Sequence, residues 1–183
     1  MSLELTKEFS ICLLAESETT AEIESIRGEL PTSPYRDDPP HITLLRGVTS
    51  SALVSDSALA KSVGALLTMQ PDIIGGEVKA VEDKSNHLYS STTALTFTLS
   101  GDILNYRKTL ISQLKANNFK VEPQEVATFI PHLTIRLGVA LDDAERTRAE
   151  ACFLGKHMAF AGYALFRLVQ NNGSRQMHIV EIE

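Results

Sequence analysis

Two short strings constrain this chain more than anything else in it: Pro40-His41-Ile42-Thr43-Leu44 and Pro131-His132-Leu133-Thr134-Ile135. In each, a proline precedes a His-x-Thr unit that opens an apolar run alternating as a β-strand does. Residues i and i+2 of a strand leave from the same face about 6.6–7 Å apart, so each imidazole shares a space with its own threonine hydroxyl. Two such units, about half a chain apart, predict two proton-transfer groups facing one site.

The intervening segments repeat an order of elements. Phe9 to Ala15 reads as a strand, and Thr19-Thr20-Ala21-Glu22 predicts a capping box for a helix with Ile23, Ile26 and Leu30 on one stripe, ended by Pro31 to Pro40. After the His41 strand, Leu59, Val63, Leu66 and Leu67 predict a helix over Ala52 to Thr68, followed by strands over Ile73 to Val81 and Thr92 to Leu99. The second half continues with a helix over Ile103 to Lys115, striped by Ile103, Tyr106, Leu110 and Leu114, and then the His132 strand. A helix opening at Asp142, with Glu145 placed to cap it, leads to a hairpin of Met158 to Val169 and Gln176 to Ile182 around Asn172-Gly173. Each half therefore reads strand, helix, His-x-Thr strand, helix, strand. This is a structural pseudo-repeat, because the halves share little sequence beyond the motif. It predicts an α+β fold: one bilobal domain over residues 1–183, each lobe carrying helices on one face of an antiparallel sheet.

Composition narrows the function classes. With 183 residues, of which 43% are hydrophobic, the chain can bury a sizeable core. A formal net charge of −6 argues against long duplex nucleic acid, whose binding depends on many phosphate contacts, but leaves a small anion or a single nucleic-acid end as a ligand. The cysteines, Cys12 and Cys152, suit a reduced cytoplasm rather than a disulfide framework. No apolar run approaches the ~20 residues of a membrane span. The sequon Asn172-Gly173-Ser174 is read as the hairpin turn.

Histidine titrates near pH 6.5, so one imidazole can be neutral while a second is held protonated by a bound anion. Such a pair both takes and gives a proton, as phosphodiester cleavage or the opening of a cyclic phosphate requires. The threonine hydroxyls can donate to nonbridging phosphate oxygens as charge builds. This scheme calls for no metal and no cofactor. A zinc site would want three or four ligands, yet neither motif has Cys, Asp or Glu at ligand spacing, and Asp37 and Asp38 read as a solvated loop. His87, His157 and His178 read as surface or packing residues. Neither a Gly-rich phosphate loop, a serine nucleophile elbow nor a Cys/His protease pattern is present.

On these residues the chain resembles the 2H phosphoesterases, which include the 2′-5′ RNA ligase-like proteins and the cyclic phosphodiesterases and are defined by two His-x-[Ser/Thr] motifs. The resemblance implies two antiparallel sheets facing a central cleft with helices on the outer faces. His41 and His132 would be its acid/base pair, and Thr43 and Thr134 its phosphate-binding hydroxyls. Action on 2′,3′-cyclic phosphates or 2′-5′ linkages of nucleotides or RNA ends follows. Some members carry an arginine shortly after a motif, which Arg46 matches, although regular strand parity favours Arg136 instead. Phe129 and Tyr35, just before the motifs, are candidates to stack on a base at the cleft rim, against the alternative of packing under a loop. The expected ligand is a small cyclic nucleotide or RNA end, bound by a cytoplasmic monomer with no membrane partner. The competing expectation is a noncatalytic module that grips a phosphate with the same groups.

Overall fold

The computed structural model describes residues 4–29, 38–67, 74–84, 91–99, 102–122, 129–171 and 174–182. Among them the elements run β1 (Glu4–Ala15), α1 (Ser17–Glu29), β2 (His41–Thr49), α2 (Asp56–Leu67), β3 (Ile74–Lys84), β4 (Thr92–Leu99), α3 (Asp102–Ala116), β5 (His132–Leu137), α4 (Asp143–Phe153), β6 (His157–Asn171) and β7 (Ser174–Glu181). The expected order of strands and helices is recovered, and two helix starts move. α1 begins at Ser17, because the hydroxyl of Thr19 is taken by the amide of Ala159 at 3.2 Å instead of capping its own helix. α2 begins at Asp56, one turn later than Ala52, where the Ser55 hydroxyl accepts from the Ala58 amide. The Asp142 cap of α4 stands as a reciprocal capping box with Glu145.

Alternation decides which face of each strand is buried. Phe9, Ile11 and Leu13 of β1, Ile42 and Leu44 of β2, Leu133 and Ile135 of β5, and Leu95 and Phe97 of β4 enter one core. Helix residues Ile23, Ile26, Leu59, Val63, Ile103, Leu110, Leu114 and Phe153 enter the same core. Helices therefore cover one face of the sheet, and the His-x-Thr side chains leave from the other.

The sheet corrects the expectation of two separate sheets facing a cleft. Its strands are ordered β1-β2-β5-β4-β3-β6-β7, all adjacent pairs are antiparallel, and β1 also pairs with β6, so six strands close into one barrel-like ring. The physical reason is the length of β6. Its first residues, His157 to Phe160, pair with β3, while the same edge beyond Gly162 (φ +79°) pairs with β7 from Ala164 to Asn171. Its other edge pairs with β1 from Ala15 to Glu4. β3 comes close at the join because Gly75 and Gly76 have no side chains; a Cβ on Gly75 would lie 2.5 Å from the His157 ring.

A pseudo-twofold axis relates β1 to β4, β2 to β5 and β3 to β6. Each half thus gives its third strand to the other half's pair: β3 lies beside β4, and β6 beside β1. The two halves of the chain interlock within one sheet.

Candidate active site

The axis passes beside the motifs. β2 and β5 meet in a single antiparallel bridge, Ile42 opposite Leu133. Continued by one residue in each direction, this register sets His41 across from Thr134 and Thr43 across from His132. Ile42 and Leu133 are fully buried on the core face, so the four motif side chains share the opposite face, each half-buried. The two histidines stand diagonally across the bridge, where antiparallel neighbours lie about 7–8 Å apart. That spacing suits a group the size of a phosphate.

Both rings are held in the same way. Nδ1 of His41 lies 2.8 Å from the Pro39 carbonyl and Nδ1 of His132 lies 2.9 Å from the Ile130 carbonyl, two residues back in each case. A carbonyl only accepts, so in the neutral rings the proton sits on Nδ1 and proton exchange falls to Nε2. The prolines of the motifs thus sit in short segments whose backbone anchors the ring that follows.

The surroundings of the two rings differ. His41 lies against Phe166, with ring centroids 4.4 Å apart, on a small apolar patch of Cys12, Ala164 and Phe166. Desolvation pushes its pKa down from 6.5 to about 4, opposed by the Pro39 bond and reinforced by the charges of Arg27, His132 and Arg46. His41 is therefore neutral at pH 7. Between these two values the unfolded chain holds a proton that the folded chain does not, so the stability from this site is complete above pH 6.5 and is lost as pH falls toward 4. His41→Gln is expected to flatten the pH dependence of the urea unfolding free energy in this window; an unchanged slope would contradict the placement of the ring. Cys12, opposite Thr43 in the β1–β2 ladder, has its Sγ 3.7 Å from the Thr43 hydroxyl, and burial pushes the thiol up to about 12, so it stays an S–H.

The arginines separate at two matching bulges. In β2, Cys12 faces Thr43 while Ile11 faces Leu45, so Leu44 is an extra residue; Leu44 and Leu45 are both buried, and the exposed Arg46 returns to the face of His41. In β5 the extra residue is Ile135, since Ala94 faces Thr134 and Thr93 faces Arg136. Arg136 accordingly turns to the core face, where it is 6% exposed and pairs with Glu145 at 2.9 Å. The parity expectation for Arg136 is thereby corrected: a bulge follows each motif, and Leu137 occupies the position equivalent to Arg46. For Phe129 the structure shows the packing that was the alternative to stacking. It is partly buried and packs against the core, with the Arg107 guanidinium 4.8 Å from its ring centroid. Tyr35 and His87 lie outside the described residues.

Two neighbours of the site carried no signal in the sequence. Phe166 reads as an ordinary strand residue, and Arg27 as the basic last turn of a helix; only the tertiary fold brings either to the motifs. His157 packs at the β3–β6 join, and His178 lies 3.1 Å from Asp56 on α2. Among the described residues no group of three or more His, Cys, Asp and Glu is placed to hold a metal ion, and no helix is long and apolar enough to cross a membrane.

Matched against protein families, residues 15–160 fit the 2′-5′ RNA ligase superfamily. The chain belongs to this superfamily of 2H phosphoesterases. Solved structures carry the same fold. Escherichia coli LigT in its apo form aligns with a TM-score of 0.57 at 14% identity, over 97% of this chain and 96% of LigT. TT0787 of Thermus thermophilus aligns with a TM-score of 0.58 at 14% identity, over 95% of both chains. LigT complexed with 3′-AMP aligns with a TM-score of 0.54 at 16% identity, over 96% of both chains. A search of functionally curated proteins gave no significant match. In a 2H phosphoesterase two histidine motifs are the defining feature, and here they are the paired strands just described.

Proposed function

We propose that this 2H phosphoesterase opens 2′,3′-cyclic phosphates, or cleaves 2′-5′ linkages, of nucleotides or RNA ends by two-histidine acid/base catalysis. The observation that carries the reading is the Ile42–Leu133 bridge, which sets two identically anchored imidazoles and two threonine hydroxyls around one axis. A phosphate seated on that axis meets His41 and Thr134 on one side and His132 and Thr43 on the other.

The desolvated, neutral His41 is suited to the base role. Its Nε2 takes a proton from water as the water oxygen bonds to phosphorus; the bond from phosphorus to one ribose oxygen breaks, and His132, protonated beside the phosphate anion, gives that oxygen its proton. The product is a phosphomonoester, and the two rings return to their starting states by proton exchange with solvent. Thr43, Thr134 and Arg46 face the nonbridging oxygens, where charge accumulates. The complex of LigT with 3′-AMP supports a nucleotide-sized ligand in this fold.

The deciding experiment is turnover of 2′,3′-cyclic nucleotides and 2′-5′ oligoadenylates by purified protein, with and without EDTA. The expected result is hydrolysis at a rate EDTA does not change; loss in EDTA with recovery on adding zinc would overturn the metal-free scheme, and binding without turnover would favour a phosphate-gripping module. The acid limb of kcat/KM is expected to follow His41 and lie well below 6.5. An alkaline limb should complete a bell, and its absence would remove the protonated acid. Arg46→Ala should raise KM about 10-fold, as loss of a charged phosphate contact does, whereas Arg136→Ala should lower stability and leave KM nearly unchanged. The reverse order would place Arg136, not Arg46, at the phosphate.

A further inference from the structure

We propose that Arg27, which belongs to neither motif, is a positioning residue that locks the two histidines into one site. The inference rests on the reading of His41 and His132 as the acid/base pair. Arg27 projects from the last turn of α1, and its side chain is 10% exposed. One guanidinium nitrogen donates to the Asp38 carbonyl at 2.9 Å and to the Glu24 carboxylate at 2.8 Å; the other donates to the Thr134 carbonyl at 2.7 Å. Asp38 immediately precedes Pro39, whose carbonyl holds the His41 ring, and Thr134 stands across from His41 on the strand that carries His132. One rigid planar group thus spans the segment that aims the first histidine and the backbone beside the second.

The need for such a fixture lies in the ladder itself. β2 and β5 share a single bridge, so backbone pairing alone holds the motifs in register at one point. Arg27 adds a second fixed point beside the histidines. The forked geometry matters, because a lysine keeps the charge but cannot direct donors along two fixed divergent directions.

A reciprocal contact comes from the other half of the chain. Arg107 of α3 donates through Nε to the Leu44 carbonyl at 2.8 Å. It supports the bulge that aims Arg46, and its guanidinium lies over Phe129, next to Ile130, whose carbonyl holds the His132 ring. Among the described residues, the charged and titratable groups around His41 are Arg27 with its partner Glu24 on α1, Asp38 before β2, Arg46 on β2, Cys12 on β1 and His132 on β5. Loss of the Arg27 charge removes one group opposing protonation of His41.

The test uses the full chain with Arg27→Lys and Arg27→Met, each checked by thermal melting, with steady-state kinetics on a 2′,3′-cyclic nucleotide and NMR titration of the imidazoles. Arg27→Lys should lower kcat about 10- to 100-fold with little change in KM, as small misplacement of reacting groups does. In this variant His41 should titrate close to wild type. Arg27→Met should lower kcat at least as far and move the His41 midpoint upward. Wild-type kcat in both Arg27 variants, or a rise in KM alone, would overturn the proposal. If wild type turns over none of these substrates, it is the phosphoesterase reading that fails. Ring NMR then still decides the role of Arg27, because unchanged His41 and His132 shifts and midpoints in both variants would refute it. Should Arg27→Met not fold, Arg27→Gln supplies the neutral variant.

Discussion

Turnover is expected to fall by about 10²–10⁴-fold when either His41 or His132 is replaced by alanine, the range that a positioned general acid or base supplies. Folding should survive both changes, since each ring is half-buried on the face away from the main core. The double variant should be little worse than the worse single one, because a base without its acid completes no cycle and effects of groups acting as a unit do not add. Measured kcat for the three variants against 2′,3′-cyclic AMP checks this. A silent replacement at either position would break the two-histidine mechanism, and full additivity would imply that the rings act in separate steps.

The second large effect concerns stability. Arg167 of β6 is 1% exposed; its Nε donates to the Thr6 carbonyl at 2.9 Å, and a terminal nitrogen lies 2.7 Å from the Asp56 carboxylate at the start of α2. A buried guanidinium cannot shed its proton, so Asp56→Ala leaves a charge without its counter-ion. The expected loss is about 3 kcal/mol, the low end for breaking a buried pair because Asp56 is itself 31% exposed. For a chain of this length that corresponds to a fall in Tm of about 6–12 °C. Arg167→Met, which replaces the buried charge with an apolar group of similar volume, should cost less. A melting series in which Arg167→Met is the more damaging change would mean that its packing and its bond to Thr6, and not the ion pair, hold β6 to α2.

How much of this was legible in the sequence depends on how local each feature is. His41 with Thr43 and His132 with Thr134 are fixed by the two-residue period of a strand, which any alternating run displays, and the Asp142–Glu145 cap is a four-residue pattern. Arg136 was read to the wrong face because a bulge inserts one residue at Ile135 and reverses all parity after it; nothing in Leu133 to Leu137 marks that insertion. The joining of two expected sheets into one depends on which edges β3 and β6 find. That follows from the length of β6 and the bare backbone at Gly75 and Gly76, which become meaningful only when the strands meet. Arg27 acts through carbonyls of Asp38 and Thr134, groups every residue has, so no residue type announces it. Phe129 followed the general tendency of aromatic side chains to fill cores.

The exchange of third strands sets the order in which this protein can be made. As the chain leaves the ribosome, β1 and β2 can pair early, but the remaining edge of β1 waits for β6, and β3 waits for β4. Until His157 to Asn171 has emerged, the first half presents an open strand edge rich in apolar residues, the kind of surface that recruits other chains. A product ending before β6 would lack the partner of Leu5 to Ala15 while already containing both histidines. Such a truncated chain would be a client for chaperones and proteases rather than a half-active enzyme, which makes late synthesis of β6 the step that commits the whole molecule.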